Sequence, residues 1–494
     1  MAEIKVITTM CKSGQVTEAY GLAKNDYASD ASSPWTQRAF GWALYYVIKS
    51  DVEKGYYEAL TEHVTELMDL KLLTIANDSM IYDNVQLQIG TFIKKHVMLN
   101  DIEASVKLST FFHLLKDYSF KSSLGHSVLL QSYIKFDTWS EMADFLDWWN
   151  LDTLQTQDYI PYVMPNGKKV MTLAERAYIA NSKALLKQND LGRIEEFLPK
   201  LDYLMTNHPE MMYPGYFYGK LLLKLGSNTD EALKVIVPFA RKKVSDFWVW
   251  QLLSDVYTHA PEKQLACLLR AVHCKTQETF LGKVRIKLAT AYIQMNQLDR
   301  ARHHIDMITR CYVSQGWKLP YEVECWIHQP WFNTARPNGN DPIDFLKITN
   351  EILCNGTEEA IAVVIYVDPN SHKATIIYGE EKRMIHKFRF NVGVGSILKI
   401  NYIKDANGKI KILNSAKTSF PNNLSYIKVV EGFVNKQNQN NFAFMKSSIG
   451  NCFISGNIIQ KYNVVNGEQI KALVVYDYNK KKEVWNWVCI SIKR

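Results

Sequence analysis

Apolar residues recur every three or four positions along residues 1–316, and from Glu358 onward they recur every second position. The first period lays one apolar stripe along a helix, and the second gives a strand one buried face. The chain therefore reads as helix after helix, then as short strands. Trp35–Leu73, Met80–Phe120, Leu124–Leu151 and Met171–His208 predict helical pairs with a loose period. A tighter repeat follows. Tyr218, Leu253 and Leu288 are spaced by 35, as are Gly219, Ser254 and Ala289, and Leu222, Tyr257 and Tyr292; Ala232, Ala266 and Ala301 follow at 34 and 35. Small residues at such positions let the two helices of a pair approach, while large ones fill the groove between pairs. The expectation is a solenoid of about six to eight helix pairs over residues 1–316, interrupted at Gln155–Val170 by a short hairpin or a loop insertion.

Residues 317–356 hold Pro320, Pro330 and Pro337 among several Trp and Tyr, which predicts an irregular packed bridge ending in a short helix, Pro342–Leu353. Beyond it, alternating runs separated by Asp368-Pro-Asn-Ser, Gly379-Glu-Glu-Lys and Asp405-Ala-Asn-Gly408 predict two small β-barrels, 357–417 and 424–494. The fold class expected is multidomain α plus β.

Charge sharpens this division. Residues 355–494 carry 20 Lys+Arg against 10 Asp+Glu, a balance of +10, whereas the whole chain is +8, which leaves about −2 for residues 1–354. The basic excess belongs to the β-rich end, where a polyanion would bind. Aromatic residues are interleaved there. Phe442 and Phe444 share a strand face by their spacing of two, and Phe453 follows on the next strand. Stacked bases and nearby cations are what single-stranded RNA or DNA requires. The candidate binding residues are Phe442, Phe444 and Phe453 for stacking, with Lys436, Lys446 and the Lys480, Lys481, Lys482 turn for phosphates. If the rings instead fill a β-core, the barrel docks proteins and the chain is a protein-interaction scaffold or peptide-responsive regulator. The first barrel has weaker motifs, and Tyr378, His386, Phe388 and Phe390 are its exposed candidates.

The C-terminal motifs resemble those of cold-shock domains, which are OB-type barrels. Gly432-Phe-Val434 with Lys436 stands for the opening Gly-x-Val-Lys, Asn441-Phe-Ala-Phe-Met445 for the first ribonucleoprotein motif, Cys452-Phe-Ile-Ser455 for the second, and Gly467-Glu-Gln-Ile470 for the later Gly-x-x-Val step. Ser455 replaces the family's stacking His, and Gln437 and Asn438 stand where it has an aromatic. Gly393-Val-Gly-Ser-Ile-Leu-Lys-Ile resembles the same step in a first OB-like barrel. The 35-residue period resembles the tetratricopeptide repeat, so the helical part is identified as a TPR-like α-solenoid. The combined order is similar to that of proteins in bacterial conflict systems, including the TOTE systems. The resemblance implies nucleic-acid binding in anti-phage defence, with the solenoid recruiting a protein partner or effector. Tyr216, Lys220, Trp250, Gln251, Lys287 and Tyr292 are the solenoid candidates.

Catalytic signatures are missing from the sequence: there is no phosphate-binding Gly-x-x-x-x-Gly-Lys loop, Gly-x-Gly-x-x-Gly, His-Glu-x-x-His or Gly-x-Ser-x-Gly. Eight scattered cysteines without a Cys-x-x-Cys pair argue against structural zinc and disulfides and fit a reducing cytoplasm. Cys325-Trp-Ile-His328 reads as buried bridge residues, His303-His304 as a surface or packing pair, and Asp144 with Asp147 as a solvated helix face. No apolar run is long enough for a membrane span, and no secretory leader is recognisable. The expectation is a cytoplasmic, non-enzymatic protein with no cofactor, metal or evident small-molecule substrate.

Overall fold

The structure is a computed structural model that describes residues 3–493, apart from 100–101, 227–228, 372, 380–382, 389–390, 405–407, 420–423, 438–439 and 480–482. Lys480, Lys481, Lys482 and Phe390 lie outside the described residues. The chain is an α plus β protein, helical up to Leu353 and then β-rich. It forms two compact units, residues 1–242 with 255–257, and residues 243–254 with 258–494.

The first unit is built from antiparallel helices. Pro34–Lys54, Ser79–His96, Leu124–Tyr133, Leu173–Gln188 and Pro214–Lys224 alternate along the chain with partner helices such as Leu191–Asn207 and Thr229–Lys242. The repeat positions explain the pairing. A Cβ on Gly219 would lie 2.3 Å from Ile236 Cγ1, so only glycine lets Pro214–Lys224 sit this close to Thr229–Lys242. Gly219, Ala232 and Leu222 are all buried. The interruption after residue 150 consists of two short 3-10 turns, Leu151–Thr153 and Thr156–Tyr159, followed by a small hairpin. In that hairpin Val163 bridges Lys169, and the Val170 amide donates to the Tyr162 carbonyl at 2.8 Å.

The second unit begins with the last helix pairs and carries the same repeat: Leu253, Ser254, Ala266, Leu288, Ala289 and Ala301 are fully buried. The bridge is ordered as the short helices Tyr321–Ile327, Pro330–Thr334 and Phe345–Leu353. Val323 and Phe332 pack against Ala289, Ile305 and Ile308, and the Arg302 guanidinium lies 3.8 Å from the Phe332 ring centre. Trp250 and Tyr292 are core residues, the Trp250 indole donating to the Val244 carbonyl at 2.9 Å, so neither lines a groove.

His304 is a packing residue in this region. It is buried, stacks on Tyr292 at 5.6 Å, and its Nδ1 accepts from Arg285 Nη1 at 3.0 Å. Arg285 also donates twice to the Glu278 carboxylate at 2.7 Å. Burial first, then the Arg285 charge, pushes the ring down to about 3. The unfolded chain would titrate near 6.5, so folding keeps the ring neutral while the unfolded state gains a proton. The contribution is fully present above pH 6.5 and should be lost by about 1.4 kcal/mol per unit as pH falls toward the folded value. In urea unfolding, the stability advantage of the wild type over His304→Gln should shrink between pH 7 and pH 4. A pH-independent difference would show that the ring titrates alike in both states.

The strands follow. β1 (Glu358–Val367), β2 (Lys373–Tyr378), β3 (Arg383–Lys387), β4 (Ile397–Lys404) and β5 (Ile410–Lys417) form an antiparallel sheet in the order β3-β2-β1-β4-β5. β6 (Ile427–Asn435), β7 (Ala443–Ser447), β8 (Gly450–Ile454), β9 (Gln469–Asn479) and β10 (Val484–Lys493) form a closed barrel in the order β10-β8-β7-β6-β9, with β10 also paired to β9. The β8–β10 contact is parallel, and the helix Gly456–Tyr462 fills the connection from β8 to β9. This is the five-stranded OB arrangement. The first sheet has the same neighbour order, but among the described residues its third and fifth strands are not joined, so it is an open half-barrel.

Each face of the half-barrel carries a buried cluster, while Tyr366 on β1 and Ile385 on β3 stay exposed. Ala374, Ile376, Tyr378, Phe388, Leu398 and Tyr402 fill one side. On the other, Val363 and Ile377 share a core with Ile427, Leu473, Val475 and Ile490 of the barrel, and the Tyr426 hydroxyl donates to the Ile361 carbonyl at 2.8 Å. Each such buried aliphatic side chain contributes about 1.5–3 kcal/mol. This corrects the reading of Tyr378 and Phe388 as exposed. Both are about 5 % accessible because they sit in the half-barrel's own core with Ala374, Ile376 and Tyr402. His386 is half-buried against Phe388 at 4.8 Å.

Candidate nucleic-acid interface

Alternation along β7 decides where the rings point. Ala443 and Met445 are buried in the barrel with Val430, Val434, Cys452, Ile454, Ala472 and Val474. Phe444, one residue out of phase, is therefore on the outer surface, 36 % exposed. Phe442 precedes it at 37 % exposed. Phe453 lies between the inward residues Cys452 and Ile454 and directly opposite Phe444 in the β7–β8 register. All three ring centroids are 5.8 Å apart. Phe444 meets each neighbour edge-on, while Phe442 and Phe453 are tilted by 37°. The buried residues of the barrel core are aliphatic or sulfur-bearing, with Tyr462 and Trp487 packed against them, and none of the three phenylalanines is among them.

The lysines are less tightly grouped. Lys446 is exposed on the same strand face, opposite Phe433 on β6 and Asn451 on β8. Lys436 follows β6 and is half-buried, its amide donating to Asn466 Oδ1 at 2.8 Å. Lys471, a further cation of the barrel, is neutralised by Glu431 at 2.8 Å. Ser455 marks the N-terminal boundary of Gly456–Tyr462, its carbonyl accepting from the amides of Ile458 and Ile459.

Two features escaped the sequence reading. Phe433 is 58 % exposed beside Lys446 and widens the aromatic surface. On the β9–β10 hairpin, Tyr476 opposes Trp487 and Tyr478 opposes Trp485. Tyr476 stacks on Trp485 at 5.6 Å, and Lys428 Nζ stands 5.3 Å from the Trp487 ring. The signal was present as two i, i+2 aromatic pairs, but only the hairpin register brings them together.

Elsewhere, candidate chemistry resolves into structure. Asp144 and Asp147 both bind Arg193, at 2.8 and 2.7 Å. His328 is exposed, against the expectation of burial, and its Nδ1 meets the Glu324 carbonyl at 2.7 Å. The barrel thiols Cys452 and Cys489 are buried, and burial raises both, Cys489 to about 12, which suppresses the reactive thiolate. Among the described residues, no cluster of three or more His, Cys, Asp or Glu could hold a metal, and no helix is long and apolar enough to cross a membrane.

No curated protein matches the chain. Residues 212–348, which cover the last helical repeats and the bridge, match the family model "Domain of unknown function (DUF7017)". Residues 428–492, which run from β6 to β10, match the model "S1/CSD-like domain 2 of the TOTE conflict systems", so the C-terminal barrel is similar to a cold-shock-like domain of those systems.

Proposed function

We propose that the chain is a non-enzymatic nucleic-acid-binding adaptor of a bacterial anti-phage defence system, working in the cytoplasm. The barrel holds single-stranded RNA or DNA across Phe442, Phe444 and Phe453. Lys436 and Lys446 neutralise phosphates, joined by Lys480, Lys481 and Lys482. The helical solenoid recruits a protein partner or effector. The observation that carries the reading is the outward placement of three rings that the barrel core does not use. The similarity of the barrel to a domain of conflict systems supports the defence role.

Stacking is sequence-tolerant because every base offers a π-face, and backbone contact makes affinity depend on salt. With Lys436 and Lys446 as phosphate partners, the logarithm of the binding constant should fall by about 1.4 per decade of salt, and more steeply if Lys480, Lys481 and Lys482 take part. Fluorescence anisotropy of the full chain with a labelled single-stranded RNA and its DNA counterpart, titrated at two salt concentrations, measures this. Absence of binding to either strand would favour the scaffold reading, in which the barrel docks protein.

A further inference from the structure

A cavity of about 340 Å³ opens in the first helical unit, between the helices Leu124–Tyr133 and Leu173–Gln188 and the small hairpin after Tyr159. Its walls include five exposed apolar residues: Leu124, Ile160, Tyr162, Val170 and Met171, with Ile160 at 54 % and Tyr162 at 68 %. Its polar floor includes Arg176, Gln131 and Gln157.

Arg176 is the unusual member. The residue is half-buried, and its Nε is shut off from solvent without a hydrogen-bond partner. The acids close to it in sequence or in the cavity wall are occupied. The buried Glu175 turns the other way, its Oε1 accepting from the amides of Met212 and Tyr213 at 3.0 and 3.1 Å. Asp158 accepts from Ser127 Oγ and the Gln155 amide, both at 2.9 Å. Burial alone pulls the Arg176 guanidinium below its usual value. The nearby Lys135 ammonium is also lowered, by burial and then by Lys94 and Arg176. A guanidinium whose Nε is buried without a partner carries an uncompensated desolvation cost. A carboxylate brought in by a ligand would remove that cost, and two parallel hydrogen bonds fit the guanidinium fork.

We propose that this cavity docks an acidic, apolar segment of a protein partner, with one carboxylate seated on Arg176 and aliphatic side chains laid along the Ile160–Met171 hairpin. Charge complementarity selects the occupant. Arg176 is the cation in the cavity wall, and its charge, with that of Lys94, bears on the nearby Lys135. Aliphatic walls around a single seated cation suit a peptide better than a nucleic acid, which needs charges along its whole track. The proposal rests on the protein-partner half of the function given above and assigns that half a place.

The test uses the full chain and an array of end-blocked peptides in which aliphatic and aromatic residues surround one Glu or, in the matched set, one Gln. The wild type should retain the best Glu peptides about tenfold more than their Gln counterparts. Arg176→Gln should abolish that preference while keeping its helical circular dichroism, and Arg176→Lys should keep part of it. Equal retention of both sets, no retention of either, or a preference that survives Arg176→Gln would overturn the proposal. An oligonucleotide retained only when Arg176 is present would overturn it in favour of a phosphate site. If the peptide preference is missing while the anisotropy assay still shows nucleic-acid binding, the cavity assignment fails and the barrel reading stands. If both are missing, the adaptor reading fails as well.

Discussion

Phe444→Ala should weaken binding of single-stranded nucleic acid by roughly 5- to 150-fold, the loss of one base stack worth about 1–3 kcal/mol. The fold should survive. The ring stands outside a core made by Ala443, Met445, Cys452, Ile454 and their neighbours, and it is 36 % exposed. Its removal should cost no more than about 1 kcal/mol of stability, as for a partly exposed side chain. Met445→Ala supplies the contrast. That side chain is fully buried, and its truncation should cost about 2–5 kcal/mol. Anisotropy and urea unfolding of the two variants separate the roles: binding lost with the fold intact for Phe444→Ala, and stability lost for Met445→Ala. If Phe444→Ala unfolds the barrel, the ring belongs to the core. If it leaves affinity unchanged, the stacking surface lies elsewhere.

Gly432→Val should be the most damaging single change in the barrel. A Cβ at this position would lie 2.2 Å from the Lys446 carbonyl oxygen and 2.9 Å from Met445 Cγ. The near neighbour is backbone, so β6 and β7 would have to part where Gly432 pairs with Ser447 and Phe433 with Lys446. Overpacking in a closed barrel has no edge to relax into, and the cost should exceed about 3 kcal/mol. Chemical unfolding of the full chain read by hydrogen exchange of peptides from β6 to β10 reports on the barrel. A midpoint shift worth less than about 1 kcal/mol would show that β6 and β7 can separate without loss.

The switch from a period of three and four to a period of two located the change from helices to strands, and the 35-residue spacing located the buried small residues. Both are local patterns, and each follows from how one element presents its side chains. The outward direction of Phe444 was also legible, since Ala443 and Met445 flank it and only one phase of a strand can be core. Tyr378 and Phe388 were misread because alternation assumes one free face, whereas each face of the half-barrel carries a buried cluster and both rings sit in its own core. Arg176 left no local signature, and the Tyr476–Trp487 pair left only the spacing of two within each strand. The first depends on carboxylates being bonded elsewhere, and the second on a hairpin register set by residues outside the pair.

The central claim is that the outer face of β6, β7 and β8 holds the nucleic acid. Photo-crosslinking of the full chain to a single-stranded oligonucleotide carrying a photoreactive base, followed by peptide mapping, tests it most directly. Crosslinks should concentrate on the segment from Phe433 to Phe453, with Phe442, Phe444 and Phe453 as the modified residues, and should be lost when salt is raised. Crosslinks that fall instead on the helical solenoid or on the half-barrel would contradict it.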